Sequence, residues 1–148
     1  LSGTCLNRFF ISSDLGYSWT MSDQNTPLGN VHVMDENLIY IYPFGAGSWG
    51  ATIRKSTDGG SSWETISLPE TPLRSAYFVN EDIGYAGCDN NLYKTTDGGE
   101  SWFMITGPDD GIFTTYNDLA FIDENRGWVT DFGTEIFETL DGGNTWTE

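Results

Sequence analysis

The sequence predicts an all-β protein assembled from repeated four-stranded antiparallel sheets, and three observations carry that expectation. One nine-residue string recurs four times, as "ISSDLGYSW" (11–19), "KSTDGGSSW" (55–63), "KTTDGGESW" (94–102) and "ETLDGGNTW" (138–146). Its aspartates, Asp14, Asp58, Asp97 and Asp141, stand 44, 39 and 44 residues apart. Aromatic residues make up 15% of the 148 residues and there are 18 glycines, a balance that suits strands joined by tight turns. No segment shows a convincing 3.6-residue period, so almost no helix is expected. A spacing near 42 residues falls in the range of one four-stranded β-propeller blade.

Within one period the clearest copy offers four short β segments: "RSAYFV" (74–79), "GYAGC" (84–88), "LYKTT" (92–96) and "SWFMIT" (101–106). They are strands A to D, linked by the turn-like "NED", "DNN" and "DGG". Aligning on the aspartates places A to D of the preceding copy near 28–34, 38–42, 51–56 and 62–67. The last copy then has them at 116–122, 127–131, 135–139 and from 145 onward. The first copy supplies only B, C and D. The expected units are 1–22 (partial), 23–67, 68–106 and 107–148 of a single propeller segment, expected to form a partial ring. Three ways of closing it stay open: further blades, a second copy, or a four-bladed ring.

The repeated box has a mechanical reading. Its Asp accepts backbone N–H bonds from the residues that follow, and its Gly supplies positive φ without steric cost. The hydroxyl two residues before Asp (Ser12, Ser56, Thr95, Thr139) adds a bond within the loop. Trp19, Trp63, Trp102 and Trp146 are expected to fold under the turn and bury apolar surface. Gly16, Gly60, Gly99 and Gly143 complete the pattern.

The pattern S/T-x-D-x-G-x-x-W resembles the Asp-box, or BNR repeat, of β-propellers. Those include sialidases, sortilin-type receptors, xyloglucan hydrolases and photosystem II assembly factors of the Hcf136/Ycf48 kind. The longer strings "GYAGCDNNLYKTTDGGESW" and "GWVTDFGTEIFETLDGGNTW" look most like the assembly-factor group. The resemblance implies that the boxes are structural hairpins away from the ligand face, and that the setting is extracytoplasmic. In the assembly-factor group an Arg-rich patch has been associated with client binding, and this chain is poor in Arg.

Strand parity places the A–B turns "MDEN" (34–37), "NEDI" (80–83) and "DENR" (123–126) on the same acidic face as the boxes. Function is expected on the other face, with the B–C and D–A links. The irregular links are "YPFGAGSWGA" (42–51) and "TGPDDGIFTTY" (106–116), and insertions on one face of a repeat array often mark the binding side. Phe44 and Trp49 are candidates for an aromatic platform, and Asp109 and Asp110 for a cation or a basic group. Asn30, Arg74 and Asn117, equivalent first residues of inner strands, would ring the channel mouth. Each also has an ordinary reading as packing, turn chemistry or a wet channel.

Six basic against 22 acidic residues give a net charge of −16, which disfavours nucleic acid and anionic membranes. No apolar run approaches the ~20 residues of a membrane helix. A sialidase would need three clustered arginines, but of Arg8, Arg54, Arg74 and Arg126 only Arg74 maps to the mouth. The sole histidine, His32, lies in "NVHVMD" as a strand residue, and no Cys/His group suggests zinc. Cys5 and Cys88 occupy equivalent positions two units apart, too far for a disulfide, and read as small buried strand residues. The sequence therefore points to a non-catalytic scaffold for a protein or a glycan, with no metal, no cofactor and no catalytic residue assigned. A fragment of a carbohydrate-active enzyme is the alternative.

Overall fold

The computed structural model describes residues 9–22, 29–43, 52–70, 72–108, 115–131, 133 and 135–148. Among these residues every regular element is a β-strand. β1 (Phe9–Ile11) and β2 (Thr20–Ser22) form a two-stranded sheet. β3 (Gly29–Val33), β4 (Ile39–Pro43), β5 (Thr52–Ser56) and β6 (Glu64–Ser67) form the second sheet. β7 (Leu73–Phe78), β8 (Gly84–Cys88), β9 (Leu92–Thr95) and β10 (Phe103–Ile105) form the third. β11 (Asp118–Phe121), β12 (Gly127–Thr130) and β13 (Ile136–Thr139) form the fourth, extended by a single bridge between Glu138 and Thr147.

Each sheet is an antiparallel meander in chain order, and the four are not closed into a ring. The strands expected for the second and third sheets are all found, and so are the first three of the fourth; the first strand of the opening copy falls on residues 1–8, outside the described residues. The last strand of the third sheet is three residues rather than the six of "SWFMIT", because the Ser101–Trp102 end belongs to the box turn. In the fourth sheet the corresponding strand is reduced to the Glu138–Thr147 bridge.

Burial follows position in the stack. All five residues of β8, "GYAGC", are buried, as expected of a strand covered on both faces, whereas β3 alternates exposed and half-buried. One apolar cluster joins the second and third sheets through Tyr40, Ile53, Ile66, Leu73, Phe78 and Ala86. Another joins the third and fourth through Tyr85, Leu92, Leu119, Phe121, Val129 and Phe137.

The inter-sheet contact repeats. Tyr40 stacks on Phe78 at 3.7 Å between ring centroids, and Tyr85 stacks on Phe121 at 3.8 Å. Both pairs are nearly parallel, at 5° and 7°. Cys88 is a buried free thiol on β8, as its sequence position suggested; Cys5 lies outside the described residues. His32 sits within β3, its Nε2 donating to the Phe78 carbonyl at 2.9 Å, and burial lowers its pKa.

Candidate functional site

The box face is closed by its own side chains. In the second copy Asp58 Oδ1 accepts the Ser62 N–H at 2.8 Å and the Ser56 hydroxyl at 2.8 Å, while Oδ2 accepts the Ser62 hydroxyl at 2.6 Å. Ser56 Oγ in turn accepts the Gly60 N–H at 2.8 Å. The same bonds recur around Asp14, Asp97 and Asp141. Bonds from the serine at the fourth following position hold Asp58 and Asp97 at about 2, well below the usual carboxylate value.

The next turn is tied in as well. Gly59, Gly98 and Gly142 donate to the carbonyls of Asn37, Asp82 and Asn125 in the A–B turns. All three have positive φ, and a Cβ there would lie 2.7–3.0 Å from the carbonyl oxygen of Glu36, Glu81 or Glu124. With both oxygens engaged, these carboxylates serve the turn.

The tryptophans divide unequally. Trp63, Trp102 and Trp146 are half-buried, edge-on to Phe9, Phe78 and Phe121 respectively. Trp19 was expected to be buried like the others but remains 62% exposed, since no aromatic ring receives it among the described residues.

The opposite face carries a different chemistry. Antiparallel pairing brings the start of β7 beside the end of β8, so Arg74 meets Asp89 just beyond Cys88. Arg74 Nε donates to Asp89 Oδ1 at 2.5 Å, and both side chains are largely shielded. The link before β7 places Glu70 over the B–C turn, where its Oε2 accepts Asn91 Nδ2 at 2.6 Å and the Tyr93 hydroxyl at 2.9 Å. Burial, and then the bond to Glu70, push the Tyr93 phenol up to about 12. The buried Cys88 thiol is pushed up to about 12 by burial and then by Glu70 and Asp89.

In the fourth sheet Asn117 repeats the Arg74 arrangement. Its Nδ2 donates to the Asp131 carbonyl at 3.2 Å, just beyond β12. Tyr116 N–H bonds the Cys88 carbonyl at 3.4 Å, which joins the residue before Asn117 to the residue before Asp89. Asn30, half-buried on β3, lies opposite Tyr42. Burial and then Asp118 raise the Tyr42 phenol, which packs against the apolar cluster shared by the second and third sheets. Phe44, Trp49, Asp109 and Asp110 lie outside the described residues.

Sequence reasoning singled out Arg74 and Asn117 but missed Glu70, Asp89, Asn91 and Tyr93. The signal was faint. Glu70 finds its partners 21 and 23 residues further on, across a strand pair that itself had to be placed first.

No protein-family model matches the chain, and no curated protein matches it in sequence. Solved structures do. YCF48 bound to a D1 peptide is similar at 21% identity and a TM-score of 0.65, over 80% of this chain and 38% of that one. YCF48 from Cyanidioschyzon merolae is similar at 15% identity and a TM-score of 0.70, over 97% and 50%. An ancestral GH74 enzyme is similar at 19% identity and a TM-score of 0.63, over 93% and 20%. The chain thus spans half or less of the length of these structures. At such identities the likeness concerns architecture: this chain has a β-propeller fold, similar to that of YCF48 and of GH74 enzymes.

Proposed function

We propose that the chain is a non-catalytic, extracytoplasmic scaffold that binds a protein segment on the face formed by its B–C and D–A links. The observation that carries this reading is that the polar groups of that face are already paired. Arg74 is neutralised by Asp89, Glu70 is held by Asn91 and Tyr93, and Asn117 is held by the Asp131 carbonyl. Arg74, bound to Asp89, is thereby not free to clamp a substrate carboxylate, the role a sialidase needs from its arginines. Fixed donors and acceptors on a rigid rim suit recognition of an extended main chain instead. A similar propeller, YCF48, has been solved with a D1 peptide, which supports a protein ligand. The extracytoplasmic setting rests on the Asp-box resemblance.

A second reading, part of a glycan hydrolase, draws on the GH74 likeness and on Glu70 in the same face. One experiment separates the two. Hydrogen exchange would be followed with a panel of extended peptides and with xyloglucan oligosaccharides, alongside reducing-end release. Peptide-dependent protection of residues 70–74 and 88–93, without sugar release, supports the scaffold. Sugar release that disappears in Glu70→Gln would replace it with the hydrolase.

A further inference from the structure

At two junctions the chain shows how one sheet grips the next. Tyr85 and Lys94 are cross-strand partners on β8 and β9. Lys94 Nζ and the Tyr85 hydroxyl both donate to the carbonyl of Gly142, the first glycine of the following box, at 3.0 and 3.1 Å. Tyr40 and Lys55 are the corresponding pair on β4 and β5. Lys55 Nζ reaches Gly98, 3.2 Å from where a Cβ on that glycine would stand.

Both lysines precede the box Asp of their own sheet by three residues. In the first sheet that position is Ile11, which carries no ammonium. Its Cδ1 turns onto Gly60, and a cavity of about 600 Å³ opens at this junction. Phe9, Ile11, Val33 and Ile39 supply apolar walls, and Glu36 and Gly59 stand on the border. The Gly59 carbonyl is the counterpart of the Gly142 carbonyl that Lys94 caps. Asp35 and Asp58 add negative charge, although each already accepts backbone N–H groups.

We propose that this cleft receives a lysine, together with a flanking apolar residue, from an extended segment of a partner protein. The alkyl stem lies along Ile11 and Phe9, and the ammonium caps the Gly59 carbonyl facing Glu36. The apolar neighbour fills the remainder of a cavity larger than one lysine side chain. A second copy of this chain does not fit the role. Its two lysines, Lys55 and Lys94, are both committed to the internal junctions. The site lies on the box side of the sheets, separate from the face around Glu70 and Arg74.

The test is an NMR titration of the full chain with the capped peptide acetyl-Gly-Lys-Val-Gly-amide and its norleucine analogue. The lysine peptide is expected to shift the Gly59 amide and the Ile11 methyl signals, with a dissociation constant in the millimolar range. The norleucine peptide should bind at least about fivefold more weakly. Ile11→Lys supplies the missing ammonium from within and should weaken binding by about tenfold. Glu36→Gln, an exposed change that leaves the box bonds untouched, should weaken it several-fold and carries the test should Ile11→Lys fail to fold. The proposal is overturned by equal binding of the norleucine peptide, by no shifts up to about 10 mM peptide, or by shifts confined to Glu70, Arg74 and Asn91. Unchanged affinity in Glu36→Gln would overturn it too.

Discussion

Phe121 and Gly127 face each other across β11 and β12, and their pairing gives a sharp test of the packing. A Cβ built on Gly127 would overlap three atoms of the Phe121 ring, well inside van der Waals contact. The ring has nowhere to go: it is 3% exposed, stacked 3.8 Å from Tyr85 and edge-on to Trp146 at 6.4 Å. Gly127 is not at positive φ, so the objection to alanine there is space and not backbone. Gly127→Ala should therefore cost about 1–3 kcal/mol, the usual range for overpacking. Phe121→Ala should cost about 3–5 kcal/mol through lost burial and a residual cavity. In the double variant the new methyl enters space the ring has left, so the combined loss should fall short of the sum by about 1–2 kcal/mol. Urea denaturation of the four proteins, with slopes compared to confirm similar denatured states, measures the cycle. Additivity to within about 0.5 kcal/mol would refute the reasoning.

Other expectations are simpler to read. Tyr85→Phe removes a donor shared by the Gly142 and Glu124 carbonyls and should cost about 1 kcal/mol, whereas Tyr40→Phe should change stability by less than about 0.5 kcal/mol. The Tyr40 hydroxyl is buried without a hydrogen-bond partner among the described residues, so thermal melts of the two variants should differ. Asp58 and Asp97 sit at about 2 in the folded chain against an ordinary value of 3.8. Because the folded value is depressed, their contribution is fully present above about pH 4 and lost as pH falls through 2, with a weaker acid transition expected in Asp97→Asn. Cys88, buried and pushed up to about 12, should resist alkylation at pH 8 in the native chain and react once unfolded; peptide mapping by mass spectrometry reports it.

What could be read from the sequence was whatever repeats at a fixed offset from an aspartate. The box hydroxyls, the strand order and the hairpin role of the carboxylates all have that property, and each depends on residues within a few positions. The tryptophans share the offset too, yet Trp19 differs because burial needs a receiving ring from elsewhere in the chain, as Phe9, Phe78 and Phe121 provide for the others. Glu70 and Asp89 were invisible for the same reason: their significance arises from Tyr93, Asn91 and Arg74, which pairing brings together. The Tyr–Lys grip lay in plain view as Lys55 and Lys94 at matching positions. Its partners, Gly98 and Gly142, belong to the next repeat, and local pattern reading does not cross that boundary.

That grip gives the stack a direction. The second glycine of each later box rests on an isoleucine of the sheet before it: Gly60 on Ile11, Gly99 on Ile66, Gly143 on Ile105. Coupling therefore runs between nearest neighbours, like a row of linked switches, and opening should travel as a front instead of appearing everywhere at once. Amide exchange at Gly16, Gly60, Gly99 and Gly143, all bonded to equivalent hydroxyls, would map that front. The exposed first turn should yield earliest, and the third sheet, held from both sides, should yield last.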